Sequence, residues 1–285
     1  MPESFTAPTI VVGVDGSPDA AGAALWAVDE ALSRDIELRL VAVAASESDD
    51  RAQLSLNTAA EAVRSAGRTV RMQTAVLTGD PISALLDESR TAAMICVGAL
   101  GLTHVDHSRA GSIEHSRVGS TAGALAASAH CPVAVVRGSG RPAGEGPGWV
   151  TVELDETPDS ATVLQFGVEE ARLRGAPLRV LGAWQSRFTD VHDDNAIAEG
   201  NRLVRAQLDR RLSQWKQRYP DLDVRPVAVH GSMLNYLEHN AAKIQLIVVG
   251  ARNAVGVGEL LGPPGLTALH DTDCSVLVVD RQRLL

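Results

Sequence analysis

The chain has 285 residues, of which 45% are hydrophobic, 21% charged and only 3% aromatic, and its formal net charge is −9. This is the balance of a globular protein of two ordinary domains rather than of a disordered chain. So few aromatics argue against a stacking platform for single-stranded nucleic acid, and the negative charge argues, more weakly, against a general phosphate-backbone binder.

The opening MPESFTAPT has neither a basic n-region nor an apolar h-region, so no secretory signal is expected. No apolar run approaches the roughly 20 residues needed to cross a bilayer, and a cytoplasmic protein is expected. IVVGV (10–14) then reads as a buried strand ending at Asp15-Gly16. Residues 18–33 read as a helix with Leu25, Val28, Ala31 and Leu32 on its apolar face and Asp29, Glu30 and Arg34 off it. Strand LRLVAV (38–43), a helix through 52–66 and strand TVRMQTAV (69–76) follow. Pro81 opens a short helix through Leu85 and Leu86. Strand AMICV (93–97), helix 120–129 and strand PVAVV (132–136) complete the series.

The pattern is then written a second time. Asp15 recurs at Asp155, a spacing of 140 (155 − 15), and Val28-Asp29-Glu30-Ala31 recurs at Val168-Glu169-Glu170-Ala171. The spacing becomes 152 at Gly79 and Gly231 (231 − 79), and 143 at Cys131 and Cys274 (274 − 131). The second copy thus has 12 additional residues in its middle (152 − 140), and the first has 9 near its end (152 − 143). Between the copies GSGRPAGEGPG (138–148) is rich in Gly and Pro and reads as a linker. The expected domains are 1–137 and 149–285.

Strands alternating with helices predict an α/β fold: two tandem doubly wound domains, each with a five-stranded, mostly parallel sheet covered on both faces. Right-handed crossovers favour the order 3-2-1-4-5, which places a ligand at the carboxyl ends of strands 1 and 4. In the first copy those strands end at Asp15-Gly16 and at Gly98-Ala-Leu-Gly101. Gly119-Ser120-Thr121 opens a helix whose N–H groups and hydroxyls suit phosphate, and Asp15 across the crevice suits a ribose or adenine. Arg117 and Arg109 flank that helix, either reaching a γ-phosphate or pointing to solvent. There is no GxxxxGK[ST], no GxGxxG after the first strand and no GxSxG, so P-loop, Rossmann and hydrolase chemistries lack support.

IVVGVDGS, ALWAVDEA, ICVGALG and GSTAGALAASAHCPVAVVR resemble the sequence blocks of the universal stress protein family, tandem actinobacterial members above all. The resemblance covers the chain except the linker and residues 102–118. It implies an ATP site, with or without Mg, built on G-x2-G-x9-G-[ST]. Gly98 and Gly101 match its first two glycines, and the third has two registers, Gly111-Ser112 or Gly119-Ser120. The apolar helical run after Gly119 selects the second, with an eight-residue insertion before it. By this resemblance Asp15 contacts adenosine, the backbone of Val43 meets adenine, and Gly98, Gly101, Gly119 and Ser120 hold ribose and phosphates. It also implies a stress-response regulator rather than an enzyme, with at most slow ATP hydrolysis. The final strands VAVV (133–136) and VLVV (276–279) are apolar edges that need covering, by a homo-oligomer or an intramolecular pseudo-dimer.

The second copy departs from this pattern. Gly13 becomes Glu153, Gly101 becomes Asn253, and the Gly-Ser pair becomes Gly262-Pro263, so a degenerate, structural domain is expected. A nucleotide-free scaffold is the rival reading of the whole chain. An adenylyl- or phosphoryl-transfer enzyme is a weaker one, because no acid–base pair stands out. His104, His107, His115 and Asp106 match no ligand spacing, and no metal site is expected. Cys96, Cys131 and Cys274 read as buried small hydrophobes. The basic, amphipathic run 202–218 reads as a packed helix with a solvated face.

Overall fold

The computed structural model describes residues 7–46, 50–101, 119–138, 148–157, 159–185, 194–262 and 272–279, with 265, 268 and 269 between the last two segments. The chain divides into two compact units, Met1–Arg141 with Asp280–Leu285, and Pro142–Val279.

The first unit is built on strands β1 (Thr9–Gly13), β2 (Glu37–Ala44), β3 (Met72–Thr78), β4 (Met94–Gly98) and β5 (Val133–Val136). They run in the order β3-β2-β1-β4-β5, and every pairing is parallel. The expected order 3-2-1-4-5 is therefore the observed one. Such strands are covered on both faces, which is why β1 and β4 read as unbroken apolar runs: Ile10, Val11, Val12, Met94, Ile95 and Cys96 are all fully buried.

Helices α1 (Pro18–Arg34), α2 (Asp50–Ser65), α3 (Pro81–Glu88) and α4 (Ser120–Ser128) connect them. Helix α1 has a complete set of end signals. Ser17 caps it by accepting from the Ala20 N–H at 3.2 Å, Pro18 sits in its first turn, and Asp35 closes it in the left-handed region at φ 51°. Its buried face matches the expected one in part: Val28 and Ala31 are buried as expected, together with Ala20, Ala23, Ala24, Trp26 and Ala27, whereas Leu25 is half-buried, Leu32 is 36% exposed, and Glu30 is fully buried. Small side chains on that face let α1 lie close to the sheet and to α2, and Arg34 pairs with Glu30 one turn away at 3.2 Å. Hydrophobicity alone pointed to the bulkier leucines. Strand β3 also starts later than expected, at Met72, because α2 runs to Ser65 and Gly67 turns the chain at φ +70°.

The second unit repeats the plan with β6 (Trp149–Glu153), β7 (Leu178–Trp184), β8 (Val224–His230), β9 (Ile244–Gly250) and β10 (Ser275–Val279). Their order β8-β7-β6-β9-β10 is the same permutation, again all parallel. Pro226 lies in β8, at an end of this strand order, where proline costs least. The described helices are α5 (Ser160–Leu173), α6 (Asp194–Arg218), α7 (Met233–Asn240) and α8 (Ala254–Leu261), with a 3-10 turn over Ala241–Lys243. Much of the insertion in this copy goes into α6, which has 25 residues against 16 in α2. The run 202–218 belongs to α6, with Leu208 and Leu212 buried beneath it. Among the described residues no helix is long and apolar enough to cross a membrane, and no group of three or more His, Cys, Asp or Glu is placed to hold a metal ion.

Candidate functional site

The carboxyl ends of β1 and β4 open onto a cavity of about 610 Å³ in the first unit. Asp15, Val43, Gly98, Gly101, Gly119, Ser120 and Thr121 all line it. Of the residues expected from sequence, Arg117 lies outside the described residues, as do Arg109, the Gly111-Ser112 register and the histidines of 102–118.

Each piece is placed by local chemistry. After β1 the chain turns at Gly16, φ +87°, a conformation other residues rarely adopt, and a Cβ there would also lie 2.8 Å from Ser55 Oγ. The turn aims Asp15 back over the strand end, where its Oδ1 accepts from the Ser17 N–H at 2.9 Å. Its Oδ2 lies 3.1 Å from the position a Cβ on Gly101 would take, so a side chain at 101 would crowd the carboxylate. Across the crevice Gly119 is the N-cap residue of α4, and its N–H donates to the Ala99 carbonyl at 2.9 Å. That bond ties the start of α4 to the loop after β4. No side-chain oxygen caps this helix, and the N–H groups of a first helical turn have no intrahelical acceptor. With Ser120, Thr121 and Ala122 lining the cavity, the arrangement can hold an anion by N–H donation and helix dipole.

Gly98 lines the same cavity, but its missing side chain answers a different need. A Cβ there would come within 2.7 Å of Asp19 C and Ala20 N, the backbone of α1's first turn. The glycine is required by helix packing, whatever the cavity holds. Asp19 itself reaches from α1 to the loop after β4, its Oδ2 accepting from the Leu100 N–H at 3.1 Å. Burial holds its pKa above the ordinary 3.8, opposed by hydrogen bonds from the Leu100 and Gly138 N–H groups and by the charge of Arg137, and reinforced by Asp15.

Sequence reading missed the far wall of the cavity. Arg51, Leu54, Ser55 and Thr58 of α2 line it, with Pro81 and Leu85 of α3. The spacing 51, 54, 55, 58 follows one helical face, so that signal was present once α2 was placed at the end of β2. Asp19 was also missed. Its signal was an acid in the first turn of the helix after Asp15-Gly16.

The corresponding corner of the second unit is furnished differently. Glu153 ends β6 where Gly13 ends β1, and its Oε2 accepts from Asn253 Nδ2 at 3.0 Å. Asn253 in turn caps α8 by accepting from the Gly256 N–H at 2.9 Å. Burial pushes the Glu153 carboxyl up from 4.5 to about 7, with the charges of Asp155 and Glu259 raising it further and the Asn253 bond opposing them. Asp155 Oδ1 accepts from the Thr157 N–H at 3.0 Å and from Ser160 Oγ at 3.0 Å. At the carboxyl end of β7, Trp184 packs its ring on Gly200 of α6 and donates to Asn201 Oδ1 at 2.9 Å. Gly262 closes α8 instead of opening a helix, and Pro263 lies outside the described residues.

A doubly wound parallel sheet with a glycine-lined crevice at its switch point defines the α/β architecture of the first unit. The chain belongs to the universal stress protein family, whose model matches residues 7–137 and again 150–280. It is 41% identical over 298 residues to the universal stress protein Rv2028c of Mycobacterium tuberculosis, covering 100% of both chains. It is 39% identical over 289 residues to Rv3134c of the same organism, a universal stress protein, covering 98% of each. Among solved structures, a universal stress protein from Archaeoglobus fulgidus superposes with a TM-score of 0.63 over 97% of both chains at 14% identity, a likeness of fold.

Proposed function

We propose that this chain is a nucleotide-responsive regulator of the stress response that binds ATP in its first unit and uses its second as a structural partner. The observation that supports this most is the convergence of three glycine-bearing turns and an uncapped helix N-terminus on one cavity. Gly101 and Gly119 leave space for a phosphate chain, α4 supplies N–H donors to it, and Asp15, beside Gly101, is an acceptor for ribose or adenine hydroxyl and amino groups. The backbone of Val43 at the end of β2 is the partner for the base. Arg117 and a magnesium ion would add to the charge compensation at the γ-phosphate. Among the described lining residues the one carboxylate, Asp15, accepts from the Ser17 N–H, and in this reading the nucleotide is a sensed ligand turned over slowly at most.

The second unit favours the scaffold reading for its own half. Where the first copy has the small Gly13, the second has a carboxylate, and the helix N–H nearest to it is already taken by Asn253. A cytoplasmic location and assembly into a homo-oligomer or intramolecular pseudo-dimer belong to the same proposal. Two measurements test the function. Mass spectrometry of small molecules released from denatured, freshly purified protein is expected to find adenine nucleotide, and calorimetric titration with ATP is expected to saturate. Absence of both signals from folded protein removes the nucleotide reading and leaves the scaffold.

A further inference from the structure

The α2 wall of the first unit's cavity, Arg51, Leu54, Ser55 and Thr58, carries two hydroxyls, yet neither proton is left for a ligand. Ser55 Oγ donates to the Arg51 carbonyl at 2.9 Å, and Thr58 Oγ1 donates to the Leu54 carbonyl at 3.0 Å. Each bond runs back one turn along the same helix. Leu54, on the same helical face, is 66% exposed, the most exposed of the large hydrophobic side chains among the described residues. The others in that class, Leu32, Val76 and Leu203, do not line this cavity. A lone exposed leucine on an open surface carries no message, but one that lines a cavity is there for a ligand to cover.

The surroundings of Leu54 fit that use. Helix α2 packs against β2, whose Val41, Ala42 and Val43 also line the cavity. Ser55 stands beside the turn after β1, since a Cβ on Gly16 would lie 2.8 Å from its Oγ. The α2 face and the end of β2 thus form an apolar side, whereas the free N–H groups of the lining come from the first turn of α4. A phosphate chain uses only the second kind of surface. A ligand that uses both has a flat apolar part joined to an anion, which is the chemistry of an aromatic base carrying phosphates.

The second copy does not keep this wall. The spacing of 152 that relates Gly79 to Gly231 also relates Leu56 to Leu208 (208 − 56), and both leucines are buried. On that spacing Leu54 becomes Ala206, Ser55 becomes Gln207 and Thr58 becomes Arg210. The exposed leucine belongs to the copy whose glycines are intact.

We propose that Leu54 is a specificity-determining residue of the first unit that covers the aromatic base of the ligand, with Thr58 adding shape rather than a hydrogen bond. The site then selects nucleotides over phosphate chains alone. This rests on the nucleotide reading above and names the wall that holds the base.

The test is calorimetric titration of the full chain with ATP and, separately, with inorganic tripolyphosphate. Leu54→Ala is expected to weaken ATP by about five- to tenfold and to leave tripolyphosphate within about twofold of its wild-type behaviour. Leu54→Met is expected to keep ATP within about twofold, and so is Thr58→Val, which retains the branched shape and loses the hydroxyl. Because Leu54 is mostly exposed and alanine suits a helix, Leu54→Ala is expected to unfold thermally close to wild type, which separates lost affinity from lost fold. Unchanged ATP affinity in Leu54→Ala, or an equal loss for tripolyphosphate, overturns the proposal and leaves the nucleotide reading standing. Wild-type protein that takes tripolyphosphate as tightly as ATP overturns it too. A loss of about tenfold in Thr58→Val would show a hydroxyl donating to the ligand, and the apolar wall would be wrong. If the wild type binds no ATP, the nucleotide reading fails and the proposal fails with it.

Discussion

Glu153 shows how one substitution changes the physics of a corner without changing its backbone. A carboxyl group that titrates at about 7 when folded and at 4.5 when free prefers its protonated form in the native state. The folded protein then holds a proton that the unfolded chain has released, so this group's contribution is fully present below pH 4.5 and is lost as pH rises through 7. The difference amounts to roughly 3 kcal/mol at most, taking 1.36 kcal/mol per unit. Glu153→Gln keeps an oxygen to accept from Asn253 and removes the charge. It is expected to match the wild type in thermal unfolding at pH 4 and to exceed it at pH 8, by up to several degrees. A stability difference independent of pH would show that the carboxyl group is not held neutral. The glycines at the ends of β4 and β9 permit a comparison of the same kind. A Cβ on Gly98 meets the backbone of α1 at 2.7 Å, whereas on Gly250 it meets the movable Val163 Cγ2 at 3.2 Å. Gly98→Ala is expected to destabilise by about 1–3 kcal/mol and Gly250→Ala by under about 1.5, read from urea unfolding of each variant. The order of the two is the decisive result.

At the scale of elements, the helix that opens at Gly119 supports the second of the two Gly-Ser registers for the proposed phosphate site. Donors converge only where a helix begins, and α4 begins at Ser120 with Gly119 as its cap residue and Ala99 as the anchor of that residue. Gly119→Asp is expected to abolish ATP binding by setting a like charge against phosphate, and Gly111→Asp to leave it within about threefold of wild type. Deleting 110–117 restores nine residues between Gly101 and Gly119 and is expected to preserve binding; isothermal titration of the three variants gives the answer. The strands and this helix were legible in the sequence for a physical reason. Parallel strands buried on two faces leave apolar runs such as IVVGV and MICVG, and glycine at their ends marks the turns. The buried face of α1 was legible only in part: Val28 and Ala31 lie on it as expected, while Leu25 and Leu32 do not, because hydrophobicity ranks leucine above alanine and close packing against a sheet favours the smaller side chain. The α2 wall of the cavity escaped as well: Arg51, Ser55 and Thr58 are ordinary polar residues until the sheet order brings α2 to the crevice.

At the scale of the whole molecule, two copies of one topology carry unequal corners, and that inequality sets the expected stoichiometry. The first corner offers the free N–H groups of a first helical turn, with the Asp15 carboxylate beside Gly101. The second places Glu153 at the strand end, with Asp155 and Glu259 near enough to act on its charge. Because Glu153 titrates at about 7, it takes up a proton at little cost at neutral pH. The two corners therefore differ there chiefly by the bulk of Glu153, where the first copy has Gly13, and by its bond to Asn253. The Asn253 side chain has also taken the Gly256 N–H that a bound anion would need. We therefore expect one ATP per chain at neutral pH, read as the molar ratio in calorimetric titration of the full chain. The assignment of that single site to the first unit needs a second arm, since a ratio of one does not say which corner is filled. Gly119→Asp provides it, because the change leaves the second unit untouched. If the first unit holds the nucleotide, the variant gives no binding heat while its thermal unfolding stays close to wild type. A full mole of ATP bound per mole of Gly119→Asp would place the site in the second unit and reverse the roles assigned to the two copies.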